Sequence, residues 1–204
     1  IADAFMDSVP IVAFGGQVVT SLIGKDAFQE ADLMGITTPI TKHNFQITDQ
    51  NDIESTIDAA YFIAGTNRPG PVYIDLPKDV QQKEVTKNNP LKLKGYKVFE
   101  GFDKDAVKKA SKLLLEAERP VILVGGGAVH SNCSKEIGEL AETCMIPVAC
   151  TLHGKGMFNE NHPLSLGMTG MHGQPPAVYA IQKCDVLFTV GIRFDDRVTG
   201  KLAG

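Results

Sequence analysis

Arg193, Asp195, Asp196 and Arg197 crowd directly behind an apolar run, Val186 to Val190, with Gly191 at the join. Guanidinium groups match phosphate oxygens in bidentate geometry, and a carboxylate accepts from ribose hydroxyls, so this cluster has the chemistry to hold a dinucleotide. From composition alone a solvated surface cluster is the favoured reading. Gly125, Gly126 and Gly127 follow another apolar run, Val121 to Val124. Glycines there let a backbone approach a phosphate, and amides opening a helix favour an anion. The alternative is a plain tight turn, because the pattern is not G-x-G-x-x-G and no acidic ribose ligand stands at the usual distance. Lys78 and Asp79 follow a short run, Val72 to Ile74, stopped by Pro77, and Arg68 precedes a Pro-Gly-Pro turn. Between Leu152 and Gly173 lie His153, His162 and His172, whose spacing matches no zinc pattern, so no metal ligand set is predicted.

These groups are useful only if their elements bring them to one place. The spacing predicts strands over Ile11–Phe14, Val72–Ile74, Val121–Val124, Val148–Thr151 and Cys184–Val190, with a further apolar run at Leu33–Ile36. A helix is expected from Ile53 to Ala64, with Ile53, Ile57, Ala60, Tyr61 and Ala64 on its buried face. Another is expected from Lys104 to Glu116, capped by Asp103, with Val107, Ala110, Leu113 and Leu114 buried. Helices over Ser134–Cys144 and from Pro175 to Gln182 follow, with a long glycine-bearing loop from Leu152 to Gly173. Strands alternating with helices imply an α/β fold of doubly wound parallel sheets. In such sheets ligands sit beyond the carboxyl ends of the strands, where the charged clusters fall.

The strings GIRFDDRVTG, RPGPVYIDLPKDV and DAFQEAD, as they stand here, resemble the large catalytic subunit of the acetohydroxyacid (acetolactate) synthase family, which uses thiamine diphosphate. The likeness runs along essentially the whole chain. It implies a pyrimidine-binding domain over residues 1–81, of which only the second half is present, a polar linker over 82–101, and a central Rossmann-like, FAD-binding domain over 102–204. By the same resemblance FAD, structural rather than redox-active in this family, contacts Arg68, Gly125, Gly126, Gly127, Thr151, Leu152, His153, Gly170, Met171, His172, Gly191, Arg193, Asp195, Arg197 and Val198. Phe28, Gln29 and Lys78 are implied to border the substrate. Two positions depart from the family pattern: His153 replaces the more usual methionine or glutamine, and Val19 the more usual proline.

The activity so implied is condensation of pyruvate with pyruvate or 2-oxobutyrate, with loss of CO2, toward branched-chain amino acids. Thiamine diphosphate and Mg2+ would serve the parent enzyme, whose catalytic glutamate is expected upstream of Ile1 and whose Gly-Asp-Gly metal motif is expected downstream of Gly204. The chain therefore reads as a catalytically incomplete part of a longer protein. A homodimer or tetramer of catalytic subunits with a small regulatory subunit is expected. The location would be cytoplasmic in a bacterium or archaeon, or a plastid or mitochondrion otherwise. Glyoxylate carboligase, another thiamine enzyme and a non-catalytic nucleotide-binding module are the alternatives.

Bulk properties agree with a globular α/β protein. The chain has 204 residues, 43% of them hydrophobic, and a net charge of -4, so neither a nucleic-acid partner nor a membrane is expected. Its four cysteines, Cys133, Cys144, Cys150 and Cys184, form no C-x-x-C pair and read as reduced thiols.

Overall fold

In the computed structural model, residues 1–199 are described, and the chain divides into two compact units, Ile1–Glu100 and Gly101–Gly204. Gly200, the last residue of the GIRFDDRVTG string, and the chain end to Gly204 lie outside the described residues.

The first unit contains α1 (Ala2–Met6), β1 (Val12–Gln17), α2 (Leu33–Thr37), β2 (His43–Gln46), α3 (Ile53–Gly65), β3 (Val72–Pro77) and α4 (Lys78–Gln81). Its three strands form a parallel sheet in the order β1-β3-β2. Because β3 is paired on both sides, its backbone is satisfied and nearly all of VYIDLP is buried. The apolar run Leu33–Ile36 lies in α2. No apolar run marks β2, an edge strand of sequence HNFQ, so periodicity misses it.

Ala60, Ile63 and Ala64 of α3 pack on Val72 and Ile74 of β3, together with Ile47 and Val80. Here the expected face needs correction. Ala60 and Ala64 are buried, but Tyr61, one residue and 100° further round the helix, is 63% exposed, and Ile63 lies inside instead. The ammonium of Lys42 closes the helix by donating to the carbonyls of Ile63 and Thr66 (2.7 Å for the latter), a favourable place for a cation.

The polar stretch expected as a linker is fastened along this first unit. Leu93 and Tyr96 pack against its core, Asn89 donates to Asp52 at 2.8 Å, and the Asn51 side chain accepts from the amides of Thr86 and Lys87.

The second unit contains α5 (Lys104–Glu116), β4 (Pro120–Val124), α6 (Gly126–His130), α7 (Ser134–Cys144), β5 (Val148–Cys150), β6 (Ser165–Met168), α8 (Pro175–Lys183), β7 (Val186–Val190) and α9 (Asp196–Thr199). Four parallel strands lie in the order β6-β5-β4-β7. Ile122 and Val124 of β4 face Leu114 of α5 and Ile137 and Ala141 of α7, whereas Leu123 faces Ala177 of α8. Alternate residues of one strand thus feed two helical layers, which is the doubly wound α/β arrangement the order of elements predicts.

Two details differ. Asp103 caps α5 as expected, accepting from the amides of Asp105 and Ala106, but Leu114 alone is buried; Val107 and Leu113 are 48% and 61% exposed. The long loop 152–173 also contains the edge strand β6. Its pairing slips between Val148 and Ala149, and Gly167 has a φ of +79°, so no regular alternation announces it.

Candidate functional site

At the carboxyl ends of β4, β5 and β7, four segments distant in sequence meet. The amide of Gly125 donates to Val190 O and that of Gly127 to Gly191 O, both at 2.9 Å, while Thr151 N donates to Val124 O at 2.9 Å. Met171 N reaches Arg197 O at 3.1 Å, binding the 170–173 turn to the segment after β7. The predicted residues Gly125, Gly126, Gly127, Thr151, Leu152, His153, Gly170, Met171, Gly191, Arg193, Asp195, Arg197 and Val198 therefore share one end of one sheet, and His172 lies in the same turn.

Glycine is required here for close backbone packing. Gly191 has a φ of +65°, and a Cβ on it would strike the backbone of Gly127 and Ala128. A Cβ on Gly127 would strike Gly191 in return, and one on Gly126 would press on the His153 Cβ at 3.1 Å. Packing between the two turns thus accounts for the glycines there, and it holds the strand ends in fixed register.

The charged cluster is organised internally. Arg193 Nη2 donates to Asp195 Oδ2 at 2.7 Å, and Asp195 Oδ1 accepts from Val198 N at 3.2 Å at the start of α9. The bond from Arg193, followed by that amide, holds the Asp195 carboxyl below its ordinary range. Arg197 Nη1 lies 3.4 Å from Met171 Sδ. Leu152, Met171 and Phe194 are each more than half exposed, giving the charged cluster, in which Arg193 pairs with Asp195 and Arg197 with Asp196, an apolar rim. His162 has a local role: its Nδ1 accepts from Leu164 N at 3.2 Å and its ring packs edge-on against Phe158. Among the described residues no three His, Cys, Asp or Glu side chains gather as metal ligands.

In the first unit, the loop carrying Phe28 and Gln29 and the helix opened by Lys78 leave the same end of the three-stranded sheet, after β1 and β3. Thr20 joins them, its amide and hydroxyl both donating to Asp79 at 2.8 Å. Glu30 clamps the loop by accepting from the amides of Gly24 and Ala27, which lowers its carboxyl pKa. Phe28 is 88% exposed at the tip, and Gln29 follows with a φ of +62°. A loop held by its polar groups can present an apolar side chain outward without collapsing onto it.

Arg68 is not with them. It lies in the segment entering β3 at the opposite end of the sheet, where its guanidinium donates to Ser8 Oγ at 2.8 Å and Met6 O at 3.2 Å. A cavity of about 180 Å³ lies between the end of β2, the start of α3 and Asn89–Leu91, and none of the predicted residues lines it.

Sequence reasoning missed the polar network beneath the loop: Gln17, Gln46, Tyr73 and Asp75. The available signal was Asp75 itself, a carboxylate inside a run that must be buried.

Residues 107–203 match the family model described as thiamine pyrophosphate enzyme, central domain. Over 99% of its length the chain is 54% identical to a probable acetolactate synthase large subunit from Methanocaldococcus jannaschii, covering 35% of that protein. It is 49% identical over 99% of its length to an acetolactate synthase from Mycobacterium bovis, covering 33% of that protein. To the acetolactate synthase isozyme 3 large subunit of Escherichia coli it is 42% identical over its full length, covering 36% of that protein. The chain thus spans about a third of the length of the curated relatives it matches.

Proposed function

We propose that the parent protein of this chain condenses two 2-oxoacids with loss of CO2, because the chain is similar along its length to acetolactate synthase large subunits and its residues 107–203 match the thiamine pyrophosphate enzyme central domain model. The substrates would be pyruvate with a second pyruvate or with 2-oxobutyrate, and the products would enter branched-chain amino-acid synthesis. Thiamine diphosphate, when bound with Mg2+, supplies the electron sink that decarboxylation of a 2-oxoacid needs. This chain supplies other parts.

One observation carries the reading furthest: four segments distant in sequence converge on one set of strand ends, with two arginines beside an apolar rim. Guanidinium groups suit a diphosphate, and exposed Leu152, Met171 and Phe194 suit a flat ring, so the donor set fits FAD. Arg193 and Arg197 would hold the diphosphate, and the 151–153 and 170–172 segments would line the rest. On the first unit, Lys78 would attract the substrate carboxylate, Gln29 would hydrogen-bond the reacting acid, and Phe28 would exclude water beside it.

The relatives named as large subunits suggest a small regulatory subunit as partner; a pair or a tetramer of catalytic subunits belongs to the same proposal. Among the described residues no helix is long and apolar enough to cross a membrane. The setting would be cytoplasmic in a bacterium or archaeon, as for the archaeal and bacterial relatives, with a plastid or mitochondrion as the alternative.

The test is direct. The full-length protein with thiamine diphosphate, Mg2+ and FAD should form acetolactate from pyruvate and the homologous acid when 2-oxobutyrate is added. Condensation of glyoxylate alone, or no carboligation with any 2-oxoacid, would overturn the assignment.

A further inference from the structure

Asp75 is fully buried in the middle strand of the first sheet, where an acceptor-only carboxylate is costly unless every neighbour donates to it. Three do. Tyr73 donates to Oδ1 at 3.0 Å, Gln46 Nε2 to Oδ2 at 2.8 Å, and Gln17 Nε2 to Oδ2 at 3.4 Å. They come from all three strands. Gln46 is the register partner of Asp75 on β2, Gln17 ends β1, and Tyr73 stands two residues back on the same face of β3. Burial, aided by the charge and bond of Asp75, pushes the Tyr73 phenol up, so it remains a donor.

The Gln17 amide passes this anchorage outward. Its Oε1 accepts from Val18 N at 2.9 Å, which orients the group, and its Nε2 also donates to Ala31 O at 2.9 Å. Val18 and Ala31 are the two feet of the loop that presents Phe28 and Gln29. One side-chain amide therefore holds both feet together, and the buried carboxylate holds that amide.

We infer that Asp75, acting through Gln17, is a positioning residue that sets the geometry of the 18–31 loop for binding the 2-oxoacid. The assignment of a substrate-side role to that loop rests on the proposed function; the anchoring itself does not. Losing the carboxylate leaves two glutamine amides facing a group that no longer only accepts, and the Gln17 amide keeps its bonds to Val18 and Ala31 but loses its tie to the sheet interior.

The experiment uses the full-length protein and the variants Asp75→Asn and Gln17→Ala, with two readouts. Amide hydrogen exchange across residues 18–31 should quicken by roughly tenfold in either variant, the scale of one lost hydrogen bond to a charged group, while the strands of the second unit keep their protection. The KM for pyruvate should rise by roughly fivefold or more with turnover changed less than about twofold, and the double variant should be no worse than the worse single one. A residue that only stabilised the fold would lower protection throughout the first unit and leave KM unchanged. Unchanged exchange in the loop, or independent additive effects of the two substitutions, overturns the inference. If Asp75→Asn does not fold, Gln17→Ala alone decides, because its amide lies at the end of the network. If the unmodified protein condenses no 2-oxoacid, the proposed function fails and the exchange measurement still judges the anchor.

Discussion

The ring of Tyr73 lies across Gly15 on the neighbouring strand, in the space a Cβ there would need, and its hydroxyl donates to Asp75 at 3.0 Å. Gly15 and Asp75 are register partners, so the missing side chain on one strand admits the phenol that satisfies the carboxylate on the next.

Gly15→Ala should therefore destabilise the protein by about 1–3 kcal/mol through overpacking. Tyr73→Phe by itself should only remove one donor to Asp75, because nothing crowds the ring while residue 15 is glycine. Combined with Gly15→Ala, the loss should fall below the sum of the two, since the hydroxyl that the added methyl would strike first is then gone. Denaturant unfolding of the four proteins tests this, and strict additivity would refute the packing account.

The 18–31 loop should loosen in acid. The amide and then the hydroxyl of Thr20, bonding to Asp79, hold its carboxyl at about 2 instead of its ordinary 3.8. A carboxylate whose pKa falls on folding contributes stability that is complete above its unfolded value and is lost as pH falls through the folded one. The window is then about pH 4 down to 2. Protection of the Thr20 amide, taken against its intrinsic exchange rate at each pH, should fall across that window in the native sequence, and Asp79→Asn should be loose already at neutral pH and lack the acid step.

Arg193→Ala should weaken flavin retention in the full-length protein by about 1.5–3 kcal/mol, the loss of a charge-assisted bond. It should also let the Asp195 carboxyl rise toward its ordinary value, because Arg193 is the main cause of its depression. Flavin absorbance after gel filtration reads the first effect, and a carboxylate titration by NMR reads the second. Full flavin retention would remove Arg193 from the proposed site.

Lys78→Ala should raise the KM for pyruvate by roughly three- to tenfold while turnover changes less, since a surface charge attracts substrate and transition state alike. Added salt should narrow the gap between variant and native protein. Gln29→Ala should impair joining of the second 2-oxoacid more than release of CO2. Loss of thiamine diphosphate binding with pyruvate affinity intact would place either residue in the cofactor site instead.

Local features were readable in the chain. The bounds of α5 and α7 follow from helical spacing, and Asp103 is recognisable as a cap because it needs only its own next residues. The strand ends carrying Gly125 and Gly191 are marked by an apolar run followed at once by glycine. Edge strands β2 and β6 were not readable, being polar in one case and interrupted by Gly167 in the other. Nor was the outward face of α5, because helical spacing shows that a stripe exists and not how much of it another layer covers.

Sequence order alone determined the α/β alternation, and with it the placing of Arg193, Asp195 and Lys78 just beyond strand ends. That follows because covalent neighbours of a strand's last residue must leave from its carboxyl end. Tertiary structure alone decided that β3 runs between β1 and β2, which encloses Asp75 and surrounds it with Gln17, Gln46 and Tyr73. It likewise decided that Gly127 and Gly191 pack together and that Arg68 leaves the other end of its sheet from Lys78. Strand pairing joins residues far apart in the chain, and burial turns an ordinary aspartate into a group that must collect donors; neither can be read from its immediate neighbours.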